Sequence, residues 1–306
     1  MKAEEFKALK KRVKKNRYLY LFLVIPVLYY IIFSYVPMYG ISIAFMDFRI
    51  GLGFSGSNWV GLQHFERLFT SAAFYSILRN TILLNVYSLV FGFPAPIILA
   101  LLLNEVRRLT VKRIAQSILY LPRFISWVVL AGIFISMMSP STGIVNTIMK
   151  GFGLEPIFFM ANSSWWPTMY VISGIWASAG WSSIIYLAAI SNIDVELYEA
   201  ARIDGAGKFG QIWHITLPCI RGTVAIMLIL AMGGMLSMSF DHIYNLQNPA
   251  VFDVADVFAT YVYRIGILQA QYSYTTAVGL FQSVVSLILI IATNKIVKAL
   301  GETSLW

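Results

Sequence analysis

The side chains that could carry out chemistry in this chain are few and far apart. The three histidines, His64, His214 and His242, stand without a nearby cysteine or carboxylate pair at metal-ligand spacing, and Cys219 is the single cysteine. A metal centre or a nucleophilic triad needs such groups close together, so neither is expected. One segment, Glu199–Ala206, does place acidic, basic and small residues side by side. These residue types suit docking against another protein better than catalysis.

The composition is that of a membrane protein. The chain has 306 residues, of which 58% are hydrophobic and 12% charged, with a mean hydropathy of +0.73; soluble domains carry roughly 25% charged residues. Six long charge-free stretches separate successive charged residues, and a bilayer core needs about 20 apolar residues in a helix. The sequence therefore predicts an all-α, polytopic membrane protein with six transmembrane helices. The predicted spans are 18–45, 79–103, 121–138, 168–190, 222–240 and 274–294.

The placement of basic residues predicts the orientation of these spans. The segments 1–17, 104–123, 191–221 and 295–306 hold 18 of the 23 Lys and Arg residues. Basic residues beside a span stay in the cytoplasm, so both termini are expected to be cytoplasmic. The first 17 residues then form a basic cytoplasmic helix, and residues 18–306 form the transmembrane domain. The net charge of +9 reflects this topology and gives no reason to expect a nucleic-acid partner.

Helix-breaking and small residues mark several of the spans. Pro26 and Pro37 should kink the first span or end it early. The second span contains a broken patch at 92–96. The fourth is rich in serine and glycine, which let helices pack closely in lipid and also leave room for a solute pathway. Both interpretations of that span stay open.

Nothing in the sequence predicts an enzyme. The loops between spans are too short to hold a catalytic domain, and the chain contains no glycine-rich phosphate loop with a Walker-type lysine. The chain is therefore not expected to hydrolyse ATP, and uphill transport would need another subunit as its source of energy.

The segment 191–218 is a cytoplasmic loop between the fourth and fifth predicted spans. We refer to residues 195–218 as the foot. Its first helix should cover 196–203 and stop at Gly205 and Gly207. A second short helix should follow, with Phe209, Ile212 and Trp213 on its inner side. From the residues alone, a docking element for a partner and an amphipathic loop lying on lipid remain alternatives.

The foot resembles a known motif. Glu199-Ala200-Ala201, three residues, Gly205, nine residues and then Ile215-Thr216-Leu217-Pro218 match the pattern of permease subunits of bacterial ABC importers at seven positions and at both spacings. Further likenesses, at Tyr35–Gly40, Trp59–Leu62, Arg79–Thr81 and Ser304–Trp306, are typical of the oligosaccharide and polysaccharide branch, which includes maltose- and alginate-type importers. The resemblance covers nearly the whole chain.

The resemblance implies a type I importer transmembrane domain with a core at about 79–298, in a bacterial cytoplasmic membrane. It also implies four kinds of partner: a second homologous permease, two ATPase subunits, an extracytoplasmic solute-binding protein and a saccharide. ATP and magnesium would bind the ATPase subunits, and no cofactor is expected on this chain.

The resemblance also assigns candidate site residues. Coupling to the ATPase is expected of Glu199, Ala200, Ala201, Arg202, Asp204, Gly205, Ile215, Leu217 and Pro218. A solute pathway through the spans is expected to use Trp176, Ser178, Trp181, Ser182, Ser237, Asp241 and Gln282, because sugars favour aromatic faces and hydroxyl or amide partners. Arg123 or Arg264 could meet an acidic sugar, although an arginine that reaches for the membrane interface is the commoner case.

Two other functions were compared with the importer permease. A secondary transporter that needs no ATPase would call for ion-coupling carboxylates inside the membrane, and the charge-free stretches contain none. A membrane-embedded enzyme would need a cluster of acids, bases or metal ligands. The sequence therefore favours the permease, and the cargo is expected to be an oligo- or polysaccharide.

Overall fold

A computed structural model describes residues 15–299 and 301. The described residues are largely helical, and the model also contains one antiparallel pair of two-residue strands, β1 (Met46–Asp47) and β2 (Asn58–Trp59). Most of the predicted N-terminal helix and the ending Ser304–Trp306 lie outside the described residues. The chain divides into two compact units, residues 1–68 with 271–280 and residues 69–270 with 281–306. The predicted domain boundary at residue 17 stays a prediction.

The first unit begins with an exposed apolar helical run. It consists of α1 (Arg17–Tyr30), a π-helical segment (Ile31–Tyr35), α2 (Val36–Met38) and a 3-10 segment (Tyr39–Phe45). Together they form a candidate membrane span of 29 residues, in which every residue of α1 is exposed. The run continues past both Pro26 and Pro37, so the prolines do not end it early. The wider π turn between them absorbs the backbone irregularity that proline introduces.

The rest of the first unit is small. It holds α3 (Gly53–Gly56), the β1–β2 hairpin and most of α4 (Gln63–Thr70). Phe45 stacks on Trp59 with ring centroids 5.6 Å apart, and the Nε2 atom of His64 lies 3.0 Å from the carbonyl oxygen of Met46. His64 therefore has a structural partner in the hairpin.

The second unit contains most of the long helices. Its first long run, Ala72–Glu105, joins α5 (Ala72–Tyr87), a π segment (Ser88–Gly92) and α6 (Pro94–Glu105) into 34 residues. The run is not interrupted at 92–96, because the π segment ends at Gly92 and Pro94 already stands in the first turn of α6. The elements that follow are α7 (Leu109–Tyr120), a 3-10 turn (Leu121–Phe124), α8 (Trp127–Met137), α9 (Ile144–Gly151), a 3-10 turn (Phe159–Ala161) and α10 (Trp166–Ser191).

The foot and the last helices complete the chain. They are α11 (Val195–Ile203), α12 (Lys208–Gln211), a π segment (Ile212–Thr216), α13 (Leu217–Gly233), α14 (Phe240–Leu246), a 3-10 turn (Pro249–Val251), α15 (Phe252–Ala255), α16 (Phe258–Val262), a π segment (Tyr263–Leu268) and α17 (Tyr272–Ala299). In the described part of the chain, five helical runs are long and apolar enough to cross a membrane. The count becomes six if α7 with its 3-10 turn and α8 form one broken span.

The third predicted span is not a continuous helix. Leu109–Phe124 and Trp127–Met137 meet at an angle of 109°. The break falls at Ile125 and Ser126, whose extended backbones have ψ values of 137° and 150°. Pro122 directs the preceding turn into 3-10 geometry, and the helix restarts only after Ser126. The continuous helix predicted over 121–138 is therefore wrong, since the helical run is bent between Phe124 and Trp127.

The fifth predicted span is also displaced. The helical run begins before residue 222 and ends at Gly233, because Gly233 and Gly234 together favour a helix end. Ser237, which was expected within the span 222–240, and Asp241 consequently both lie beyond the helix.

Two of the apolar clusters in the described part of the second unit lie near opposite ends of α10. One surrounds Trp166 and Tyr170 and includes residues of α8 and α14; the other surrounds Tyr186 and Ile190 with Ala100 and Ile220. Between them, α10 approaches α7 very closely. A Cβ atom on Gly180 would lie 2.0 Å from the carbonyl oxygen of Leu119. At this position, the small residue of the fourth span serves helix packing.

Candidate functional site

The first helix of the foot has well-defined ends. Asp194 caps its N-terminus, since the carboxylate accepts a hydrogen bond of 3.0 Å from the backbone N–H of Glu196. At the other end the Ala206 N–H donates to the Ala201 carbonyl at 2.8 Å. Gly205 has a φ of +82°, a conformation that ends helices and that side chains with a Cβ rarely adopt. The local sequence thus specifies a short helix followed by a sharp turn.

The predicted coupling residues fall into two groups. Most lie on the exposed surface of the foot's first half, with only Ala201 half-buried; the exposed ones are Glu199, Ala200, Arg202, Asp204 and Gly205. The others stand where the foot joins the fifth span. Ile215 and Leu217 are half-buried there, and Pro218 is in the first turn of α13. The residues of the first group are accessible to a partner protein, and those of the second group support the first.

An apolar surface accompanies the exposed charges. Ile203 is 87% exposed, Phe209 80% and Trp213 61%. In the isolated chain, the expectation that Phe209 and Trp213 face inward is therefore wrong. The inner side of the second foot helix is formed by Gln211, which is 5% exposed, and by Thr216 at 2%. Large exposed apolar side chains of this kind mark interaction surfaces.

Polar contacts also support the second half of the foot. The Gln211 side-chain amide donates to the Ala206 carbonyl at 3.0 Å, which closes the turn after Gly205. Lys208 forms an ion pair of 2.7 Å with Glu105 at the end of α6. Both partners of that ion pair are well exposed, so the pair contributes little to stability. It does show that α12 lies beside the end of α6.

The predicted pathway residues do not form one site. Trp176 and Trp181 are partly exposed on α10, and the ring of Trp181 meets Phe124 edge-on at 5.5 Å. Ser182 is half-buried on the same helix, whereas Ser237 and Asp241 are exposed beyond α13. The Gln282 amide donates to the Leu236 carbonyl at 2.8 Å, a contact between α17 and the segment after α13.

A polar cavity lies beside Ser178. It has a volume of about 220 Å³, and its lining includes Ser88 and Gly92 of the π segment, Gly174 and Ser178 of α10, and His242 of α14. The hydroxyl of Ser178 donates to the Gly174 carbonyl at 2.7 Å. The predicted pathway residue Ser178 therefore lines a polar space together with other hydrogen-bonding groups.

His242 is a candidate site residue that the sequence did not predict. Its ring is stacked between Trp127, with centroids 3.7 Å apart, and Tyr170, at 4.2 Å. Its Nε2 atom lies 2.9 Å from the Ser173 hydroxyl, which itself donates to the Tyr170 carbonyl. The direction of the hydrogen bond between Nε2 and the Ser173 hydroxyl depends on the tautomer of the imidazole. No local pattern could reveal this arrangement, because its members are far apart in sequence.

The Arg79-Asn80-Thr81 segment anchors the long connection between α14 and α17. Asn80 donates to the carbonyls of Asp253 and Asp256, at 2.9 and 3.1 Å, and the Thr81 hydroxyl accepts from the Phe258 N–H at 3.3 Å. Arg264 pairs with Asp256 through two hydrogen bonds. Its guanidinium is thus already engaged, whereas Arg123 is exposed. Among residues 15–299 and 301, no group of three or more His, Cys, Asp or Glu side chains could hold a metal ion.

Comparison with known proteins places the chain among transport proteins. Residues 92–302 match the family model described as binding-protein-dependent transport system inner membrane component. The chain is 45% identical over 305 residues, 100% of its length and 95% of the relative's, to the polygalacturonan/rhamnogalacturonan transport system permease protein YteP of Bacillus subtilis (strain 168). It is also 45% identical over 294 residues to protein LplB of the same organism, covering 96% of this chain and 92% of LplB.

A solved structure agrees with these matches over the whole fold. The structure is that of a bacterial alginate ABC transporter in complex with alginate pentasaccharide-bound periplasmic protein. One of its chains is 39% identical to this one, with a TM-score of 0.87, and the match covers 96% of this chain and 99% of that one.

Proposed function

Because this chain belongs to the family of binding-protein-dependent transport system inner membrane components, we propose that its foot docks with an ATPase subunit and couples ATP hydrolysis to the import of acidic oligosaccharides. The chain is a permease subunit of a saccharide ABC importer with the type I transmembrane fold, and it is a multi-pass protein of the inner membrane. It is a transport subunit and not an enzyme. The proposal concerns the coupling surface, the cargo and the full set of partners.

The exposed foot is the observation that carries the coupling proposal. Glu199 and Arg202 stand on a helix that is exposed over most of its length, beside three large exposed apolar residues of the foot. Charged residues set the register of a docked helix, and buried apolar residues supply most of the binding energy. A lipid-lying loop is the weaker alternative, because its basic residues would outnumber its acidic ones, whereas this helix carries Glu196, Glu199 and one arginine.

The proposed mechanism follows from where the foot is attached. Two ATPase subunits would bind the foot of this chain and that of a second homologous permease, with ATP and magnesium held by the ATPases. Closure of the ATPase pair on ATP binding would draw the two feet together and rotate the transmembrane halves as rigid bodies. To move the population decisively, ATP must favour one state by about 5 kcal/mol. Both termini would lie in the cytoplasm, on the same side as the foot.

The cargo proposal is supported by the relatives. YteP is named for polygalacturonan and rhamnogalacturonan, and the structural neighbour transports alginate; these polymers contain uronic acids, so the shared chemistry is a carboxylate-bearing sugar. Within this chain, Ser178 and the polar cavity at His242 are the first candidates for contact with the sugar, followed by Trp176, Trp181 and Ser182. Arg123, which is exposed, is the basic candidate for an acidic group.

An import assay tests the proposed function. The complex would be reconstituted in lipid vesicles with its ATPase subunits, second permease and binding protein, and offered labelled oligogalacturonide, alginate pentasaccharide or arabino-oligosaccharide. We expect ATP-dependent uptake of a uronic-acid oligomer that persists after a protonophore collapses the ion gradient. Uptake of the neutral arabino-oligosaccharide alone would contradict the cargo, and uptake driven by an ion gradient without ATP would contradict the importer mechanism in favour of a secondary transporter.

A matched pair of glycine variants tests the shape of the foot. Gly205 and Gly207 both have open space where a Cβ would stand, but only Gly205 has a positive φ. A residue with a Cβ costs about 1–2 kcal/mol in that conformation, so Gly205→Ser should lower import about ten-fold in the same assay. Gly207→Ser should stay within about two-fold of wild type, since serine suits the N-cap position that Gly207 occupies. Equal effects of the two variants would show that the turn geometry is irrelevant.

A further inference from the structure

We propose that the hydrogen bond between Tyr198 and Thr216 is the strut through which the first foot helix moves the fifth span. This inference rests on the proposed function, because it assigns a positioning role within the coupling step. Of the nine residues of α11, only Tyr198 and Ala201 are not exposed. The two lie three positions apart, on one face of the helix. That face is where α11 touches the rest of its unit.

The bond itself connects a surface helix to a buried anchor. The Tyr198 hydroxyl lies 2.9 Å from the Thr216 hydroxyl oxygen, across 18 positions of sequence. Thr216 is only 2% exposed. Its hydroxyl also lies 3.4 Å from the Gln211 carbonyl, toward which it donates. Each hydroxyl can donate as well as accept, so either oxygen can be the donor in the bond between Tyr198 and Thr216.

The position of Thr216 makes this contact mechanically important. Thr216 is the last residue of the π segment Ile212–Thr216, and α13 begins at the next residue. Single π turns inside helices are frequent at functional sites, because they break the regular ladder locally. A displacement of α11 therefore reaches the start of α13 through Tyr198 and Thr216, without passing through the turn at Gly205 and residues 212–215 of the π segment.

The other contacts of the foot do not replace this one. The Gln211–Ala206 hydrogen bond and the Lys208–Glu105 ion pair involve no side chain of α11. The ion pair is also well exposed, and such pairs hold an element only weakly. Without Tyr198, α11 would keep its shape and its docking residues but would be attached less firmly to the span that it moves.

A strut and a merely stabilising contact predict different results. Loss of stability would lower import and ATP hydrolysis together, in proportion to the remaining folded complex. Loss of the strut would leave docking and hydrolysis in place while import falls. The informative quantity is therefore the amount of sugar imported per ATP hydrolysed, measured on the reconstituted complex with labelled oligogalacturonide as the cargo.

Isosteric variants separate the bond from the packing. We expect Tyr198→Phe to lower import per ATP about five-fold, the effect of one net hydrogen bond. Thr216→Val should lower it at least as much, because it also removes the contact with the Gln211 carbonyl. The double variant should be no worse than Thr216→Val alone, because that variant already removes the bond to Tyr198. Thr216→Ser keeps the hydroxyl and should stay within about two-fold of wild type. Unchanged coupling in both single variants, or additive losses in the double one, would overturn the strut.

A distance measurement on the full chain alone tests the strut without any cargo. Cys219, the single cysteine, is exposed near the base of α13, and Ile203→Cys adds a second label site at the end of α11, where the residue is 87% exposed. Pulsed electron paramagnetic resonance of spin labels in nanodiscs should give a narrow distance distribution that Tyr198→Phe broadens. A broader distribution in Tyr198→Phe supports the strut even if no tested oligosaccharide is imported. Absence of import would then contradict only the proposed function. Equal widths would overturn the strut even if import is normal.

Discussion

Glu199→Lys is expected to reduce ATP-driven import about 100-fold while the chain still folds and inserts. Glu199 is exposed on α11, so its replacement removes no internal contact that the fold needs. At a docked interface, however, reversing a charge that meets a basic partner costs about 2–5 kcal/mol, and about 2.7 kcal/mol corresponds to 100-fold. Import into reconstituted vesicles and co-purification of the ATPase subunits are the measurements.

A charge reversal elsewhere provides the control for this variant. Glu155 is equally an exposed acidic residue of the second unit, in the connection before α10, and Glu155→Lys changes the net charge by the same amount. We expect its ATPase subunits to co-purify as in wild type and its ATP hydrolysis to be unchanged. If Glu199→Lys kept full import, or if both variants lost the ATPase equally, docking through the foot would be wrong.

Gly180→Ala should damage the fold itself. A Cβ at this position would lie 2.0 Å from the carbonyl oxygen of Leu119 and 2.6 Å from its carbonyl carbon, distances that only a shift of one helix backbone can relieve. Overpacking of this kind costs about 1–3 kcal/mol. We expect a lower unfolding temperature and a smaller yield of monodisperse permease, both measured by size-exclusion chromatography of heated samples.

The matched variant for Gly180 is Gly132→Ala. Gly132 is also a helical glycine, on α8, but no atom lies within 4 Å of its missing Cβ. Alanine there should be neutral or stabilising by roughly 0.5–1 kcal/mol, since glycine weakens helices. Comparable losses in both variants would mean that glycine in these helices serves a purpose other than the close approach of α10 to α7.

The sequence could predict most of the long helices because each needs a charge-free stretch of sufficient length. The fourth span, expected at 168–190, is the helix Trp166–Ser191, and the sixth, expected at 274–294, lies within Tyr272–Ala299. The first foot helix was expected at 196–203 and covers Val195–Ile203. In these cases local sequence carries the information, since apolar length, capping and glycine turns are local properties.

The irregular regions could not be predicted, because length alone does not show where a helix breaks. The stretch that contains α8 is long and apolar, yet the helix itself has only 11 residues and meets its predecessor at 109°. Contacts between distant residues were equally hidden. Neither the stacking of His242 on Trp127 nor the bond between Tyr198 and Thr216 leaves a pattern in the sequence.

There is a physical reason why the sequence predicts an inward orientation for the aromatic side chains of the foot. Helical periodicity separates an apolar face from a polar one but does not say whether the apolar face meets the chain's own core or a partner. In a subunit that joins a complex, the apolar face of a helix commonly meets a partner protein. Phe209 and Trp213 are exposed, as that arrangement requires. Their exposure supports the docking role that we propose for the foot.

Photo-crosslinking at Phe209 tests the central claim most directly. Phe209 and Phe152 are both 80% exposed, so benzoylphenylalanine can replace either one with little disturbance, and the two positions lie on predicted opposite sides of the membrane. In the assembled complex, illumination should link position 209 to the ATPase subunit, identified by mass spectrometry, and should link position 152 to no ATPase. Failure of position 209 to capture the ATPase, or equal capture from position 152, would contradict docking through the foot.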